Sequence, residues 1–147
     1  MFAGRNVSVS HMALSSTRII GTCCMMGQAV GVATAMCIEK NINPREIYLS
    51  YIDELQERML RNDYYIPNRP ANDSNDLTRT VDKVWATSTS SGDVHNLFDG
   101  VARDEENKIH HWQSDGLNEK LFLEWKKPVE MSSVEIKFDT NLHRKIM

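Results

Sequence analysis

Arg5, His11 and Arg18 are the residues whose types and spacing point most directly to chemistry. They stand among Ser8, Ser10, Ser15, Ser16 and Thr17, immediately before a proline-free run from Ile19 to Lys40. Two guanidinium groups and an imidazole in a polar elbow that feeds a helix N-terminus can hold a charged ligand. Gly21 and Thr22 fall in the first turn of the expected helix. There the unpaired N–H groups and the positive end of the macrodipole favour an anion or an electron-rich carbonyl.

The element that must position these groups is the helix itself, expected over about Thr17 to Lys40. Gly27, Gly31 and Ala35 recur every fourth residue, which places three small residues on one stripe. Each glycine costs roughly 0.5–1 kcal/mol of helix stability relative to alanine. Close packing against another backbone or a flat ligand is the expected compensation. On that expectation Gly31→Leu overpacks the stripe and costs about 1–3 kcal/mol. The apolar run is long enough to raise a membrane span, but Gln28 and the Gly and Thr interruptions favour a buried helix and no span. Cys23, Cys24 and Cys37 are odd in number, and a rise of about 1.5 Å per residue separates Cys37 from the others by some 20 Å. An intrahelical disulfide is therefore excluded, and the cysteines are expected to be small buried hydrophobes.

The pattern AGRNxSxxHxAxxSTRxxGTCxxxGQAxGxAxA over Ala3 to Ala35 resembles the C-terminal flavin-contacting segment of FAD-dependent oxidoreductases. It is similar, more distantly, to the corresponding helix of the fumarate reductase and succinate dehydrogenase flavoproteins. The resemblance implies FAD as the cofactor of the parent protein, with the helix N-terminus aimed at the pyrimidine end of the isoalloxazine ring. It makes Gly4 and Arg5 part of the chain end near the flavin, and His11 and Arg18 the candidate catalytic residues near the ring or substrate. Gly21, Thr22 and Cys23 become the cofactor-facing donors. The bland readings are a hydrogen-bonding histidine and a helix-terminal arginine salt bridge.

Composition limits the alternatives. The 147 residues, 41% of them hydrophobic, suit one or two small domains with a core. A formal charge of −3, with no run of Lys and Arg along any segment, argues against nucleic acid as a partner. No basic n-region with a cleavage site precedes the apolar helix, so no secretory signal is read.

After Lys40, Asn43, Pro44 and Glu46 are helix-start signals. They predict a short helix over Pro44 to Leu49 and a second over Ser50 to Asn62. Ile52, Leu55, Met59 and Leu60 form the packing face of the second, and Asp53, Glu54, Glu57 and Arg58 a solvated one. Residues 68–82, rich in Asn, Asp, Ser and Pro, read as a linker. Beyond them the period shifts towards two, with strands expected in KLFLEW and SSVEIKF. The order AxSxxSG, HNLFDG, W, LFLEWKKPVEMSSVEIKF resembles the first half of a discoidin-type, galactose-binding-like β-sandwich. Trp112 and Trp125 are sugar-stacking candidates on that resemblance, though core positions are commoner for Trp. His110 and His111 are adjacent, and in an extended segment they point to opposite faces, which disfavours joint metal chelation. The acids of DGVARDEEN could suit Ca²⁺ chemically, but their spacing does not match an EF-hand, and solvated loop acids are expected.

The expected fold is α+β: the helical tail of an FAD-binding α/β domain over residues 1–67, a linker over 68–82, and a partial antiparallel β-sandwich over 83–147. The chain lacks a GxGxxG turn for the FAD pyrophosphate. It is accordingly read as part of a longer oxidoreductase whose N-terminal FAD-binding region is its missing partner. The chain alone is expected to be inactive, with weak or absent FAD binding. The parent would transfer hydride between FAD and an organic substrate. The alternatives are a carbohydrate-binding accessory module of a polysaccharide-processing, lyase-labelled protein, and a purely structural scaffold.

Overall fold

The computed structural model describes residues 1–138. The chain divides into two compact units, Met1–Tyr64 and Tyr65–Met147, and its class is α+β.

The first unit holds four α-helices: α1 (His11–Thr17), α2 (Ile20–Lys40), α3 (Pro44–Ser50) and α4 (Ile52–Arg61), preceded by a 3₁₀ turn at Gly4–Asn6. The polar elbow of the sequence thus contains a helix of its own. Ser10 caps α1 by accepting from the Ala13 N–H at 3.4 Å. The hydroxyls of Ser15, Ser16 and Thr17 turn back onto the carbonyls of Met12 and Ala13. Such back-bonding competes with helix propagation. Ile19 is extended at φ −69°, ψ 154°, so α2 begins at Ile20 rather than at Thr17. It ends in a Schellman arrangement: Asn41 is left-handed at φ 51°, its N–H reaches the Ile38 carbonyl, and the Ile42 N–H reaches that of Cys37. The cap folds Ile42 back against the core. Pro44 then opens α3, and the Glu46 carboxylate accepts from the Asn43 N–H at 3.3 Å, the returning half of a capping box.

Ala33 and Met36 from α2, Ile47 from α3, and Leu55 and Met59 from α4 make the core, with Met36 fully buried. The expectation of a buried α2 is corrected here. Only Ala33 and Met36 are buried along it, whereas Ile20 and Ile38 are 83% and 78% exposed. The helix is long and apolar enough to cross a membrane by length and composition. The close-packed stripe is also corrected: a Cβ added at Gly21, Gly27 or Gly31 would meet nothing within 4 Å. Cys24 is exposed rather than buried, and Cys23 and Cys37 are half-buried. Nor is the charged side of α4 merely solvated. Glu54 pairs with Lys40 at 2.9 Å, and Arg58 pairs with Glu39 at 2.6 Å and Glu54 at 2.8 Å, tying α4 to the end of α2.

In the second unit, β1 (Lys83–Ala86) pairs antiparallel with β4 (Leu121–Glu124), Val84 opposite Leu123 and Trp85 opposite Phe122. Strands β2 (Ser91–Gly92) and β3 (Trp112–Gln113) form a separate antiparallel pair. Val84, Ala86, Leu121 and Leu123 are half-buried on one face of the first pair. On the other face Trp85 and Phe122 stack with ring centroids 5.1 Å apart. KLFLEW supplies β4, but SSVEIKF carries no strand, and Val134, Ile136 and Phe138 are 73%, 67% and 84% exposed. Its alternation marks one apolar face. A strand also needs a backbone partner, and among the described residues none pairs with it. The part of the expected sandwich beyond residue 138 lies outside the described residues.

Candidate functional site

An open groove of about 900 Å³ lies at the N-terminal end of α2, lined by Arg5, Asn6, Arg18, Ile19, Ile20, Cys23 and Cys24. Three features of the local chain build it. The 3₁₀ turn brings Arg5 and Asn6 to α2, and Gly4, at φ +79°, would set a Cβ 4.0 Å from that of Cys23. Helix α1 spans the intervening residues and ends at Arg18, whose N–H bonds the Leu14 carbonyl. The extended Ile19 starts α2 without any side-chain cap. The first intrahelical bond there runs from the Cys23 N–H to the Ile19 carbonyl at 3.0 Å, which leaves the earlier N–H groups of the turn without intrahelical partners.

The groove therefore combines two guanidinium groups, free backbone donors at the positive end of a 21-residue helix, and an apolar lip of Ile19 and Ile20. Among the described residues no acidic side chain lines it. Among the described residues neither Arg5 nor Arg18 pairs with a carboxylate, so the salt-bridge alternative for Arg18 has no partner there. Cys23 turns its Sγ towards the Thr17 carbonyl at 3.8 Å. Such a site attracts an anion or the electron-rich edge of a flat polar ring.

Of the residues singled out in the sequence, Arg5, Arg18 and Cys23 line this groove, and Gly4, which does not line it, lies close to Cys23. His11 does not line it. It is the exposed first residue of α1. Gly21 is exposed in the first turn of α2 and Thr22 half-buried, and neither lines the groove. Asn6, Ile19, Ile20 and Cys24 line it without having been singled out. Their signal was adjacency to Arg5, Arg18 and Cys23, which a spacing argument does not weigh.

In the second unit, both sugar-stacking candidates use their indole N–H internally. Trp112 donates to the Thr89 hydroxyl at 3.0 Å and the Ser88 carbonyl at 3.2 Å, and Trp125 to the Leu77 carbonyl at 3.2 Å. His110 pairs with Asp99 at 2.6 Å and His111 with Asp104 at 2.8 Å. Among the described residues no group of three or more His, Cys, Asp or Glu side chains is placed to hold a metal ion.

No curated protein and no solved structure matches the chain. Residues 1–59, the segment that builds the groove and the helices behind it, match the family described as FAD dependent oxidoreductase, and the cofactor this family implies for the parent protein is FAD.

Proposed function

We propose that residues 1–67 are the C-terminal, flavin-facing part of an FAD-dependent oxidoreductase whose parent transfers hydride between FAD and an organic substrate. The observation that carries this reading is the groove at the start of α2, cationic and donor-rich, within the segment that matches the family. The donor set suits one edge of an isoalloxazine ring: uncapped N–H groups for its carbonyl oxygens, Arg5 and Arg18 for negative charge, and Ile19 and Ile20 for its apolar face. FAD, when bound, supplies the hydride-accepting or hydride-donating centre. The chain's own contribution is to hold that edge and to stabilise negative charge there through the helix dipole. In this reading Gly4, Arg5, Gly21, Thr22 and Cys23 serve the cofactor. Arg18, with His11 if α1 turns towards the ring in the parent, serves the substrate. The distant likeness to fumarate reductase flavoproteins belongs to the same proposal.

The bare N-terminal edge of one helix contributes about 0.3–1 kcal/mol per charge interaction, and up to about 2 when partly buried. Nanomolar binding needs about 12 kcal/mol. The chain alone is therefore expected to bind FAD weakly or not at all, the pyrophosphate and adenine contacts coming from an N-terminal FAD-binding region. Titrating the chain with FAD, followed by flavin fluorescence and heat, tests this. Stoichiometric submicromolar binding would overturn the division of the site. Binding that appears only with a GxGxxG-bearing region in the same polypeptide, and that falls with Arg5→Ala, supports it.

A second reading assigns residues 83–147 to a discoidin-type module that binds carbohydrate. The exposed Trp85–Phe122 stack, with the Lys83 ammonium 4.7 Å from the Trp85 ring centre, is the observation that favours it. Trp85→Ala should abolish retention on immobilised polysaccharide if it holds.

A further inference from the structure

We propose that Ser91, His111 and Asp104 form a nucleophilic serine relay that acts on small activated carboxylic esters. The inference stands on the second unit alone and does not depend on the flavin reading. The Asp104 carboxylate accepts from the His110 N–H at 2.7 Å and from His111 Nδ1 at 2.8 Å. Partial burial pushes its pKa upward, yet the His110 N–H and the His111 ring together hold it below the usual carboxylate range. An ionised carboxylate accepts only, so the His111 proton sits on Nδ1. That leaves the Nε2 lone pair facing the Ser91 hydroxyl at 3.2 Å. Nucleophile, base and orienting acid thus stand in hydrogen-bond sequence, the arrangement that activates a serine.

The main chain holds both reacting side chains in place. Ser91 pairs with Gln113 and Gly92 with Trp112 across β2 and β3. Gly92 lies at φ +70°, where a Cβ would stand 1.8 Å from the His111 carbonyl oxygen, so only glycine lets β2 approach His111 this closely. The same carbonyl accepts from Asn96 Nδ2 at 3.1 Å and from the Asp93 N–H at 3.3 Å. The side chains of His111 and Asp104 are 37% and 46% exposed, which gives water and a small ester access but no enclosed pocket for a large substrate.

In the step this geometry supports, Ser91 Oγ bonds the ester carbonyl carbon while its proton passes to His111 Nε2. The carbon–oxygen bond to the leaving group breaks, and the departing phenol or alcohol takes the proton from His111. Water then attacks the acyl-Ser91 ester, again giving its proton to His111. The carboxylic acid leaves and Ser91 regains its hydrogen.

The test treats the full chain with an alkyl fluorophosphonate and locates the adduct by peptide mass spectrometry, alongside 4-nitrophenyl acetate as substrate. The expected result is one adduct, on Ser91, and a burst of one nitrophenol per chain. The labelling rate should fall by roughly 100-fold in His111→Gln, the lower end of what a positioned base supplies. Ser91→Ala should lose both adduct and burst. Labelling of Ser91 no faster than of Ser90 in the parent chain would overturn the proposal, and this measurement needs no variant to fold. An unchanged rate in a His111→Gln chain with parental circular dichroism would overturn it equally, leaving the three side chains as a clamp between β2 and β3.

Discussion

Replacing Gly27 and Gly31 by alanine should stabilise the first unit, the reverse of what a close-packed stripe requires. Both residues are exposed in the middle of α2, and a Cβ at either meets nothing within 4 Å. Neither has a positive φ, so alanine adopts the native backbone without strain. The gain is then the helix-propensity difference, about 0.5–1 kcal/mol at each site, or about 1–2 kcal/mol for the pair if the sites add. In a unit of 64 residues, 1 kcal/mol corresponds to a rise of about 4–8 °C in Tm. Urea denaturation of the parent chain and the double variant, followed by far-ultraviolet circular dichroism at 222 nm, reads the effect as a shift in midpoint at constant slope. A double variant less stable than the parent by 0.5 kcal/mol or more would refute the reasoning, because it would show that the stripe is covered. Gly31→Leu makes the contrast sharper. It should leave the chain as stable as the parent or more so, since the added side chain meets nothing within 4 Å of its Cβ and leucine is a better helix former than glycine.

Met36→Ala, at a fully buried side chain of the core, should cost about 2–5 kcal/mol and unfold the helices of the first unit in urea well before the parent. Asn41→Gly should change stability by no more than about 1 kcal/mol, because residue 41 is already left-handed. Asn41→Val should destabilise more, a β-branched residue being costly at positive φ, and the two unfolding curves order the pair. Hydrogen bonding to Lys40, opposed by burial and reinforced by the hydrogen bond to Arg58, lowers the Glu54 carboxyl below its ordinary 4.5. Its stabilising contribution is therefore complete above pH 4.5 and is lost as pH falls through the depressed value. With both partners about a third exposed, that contribution is about 0.2–1 kcal/mol per pair, and a Glu54→Gln chain should show a correspondingly shallower loss of stability between pH 5 and pH 3, on the order of the range over which such a carboxyl titrates.

The parts of the fold legible in the sequence are those decided within a few residues. Asn43, Pro44 and Glu46 start α3 where their side chains and ring geometry say a helix should start, and Leu55 and Met59 reach the core because a 3.6-residue period puts them on one face. The break between α1 and α2 was not legible, because it depends on three hydroxyls turning back onto carbonyls that only a formed turn offers. SSVEIKF shows the same limit from the other side: its alternation defines a face, and whether that face becomes a strand depends on a partner that the described residues do not supply.

The two sites separate along the same line. Arg5 and Arg18 were legible as a pair of cations near a helix start, yet the residues between them form α1, and its first residue, His11, does not line the groove that both arginines line. Ser91, Asp104 and His111 carry no spacing signal at all. They meet because the β2–β3 pairing sets Ser91 beside His111 and the loop before β3 brings Asp104 to the opposite side of the imidazole. The glycine that permits this, Gly92, looks in sequence like any turn residue. Its role appears only when the carbonyl of His111 is seen where a side chain would have to be. A substitution at Gly92 should therefore disturb the histidine relay and the β2–β3 pairing together, while leaving the groove at the start of α2 with the same access to anions as before.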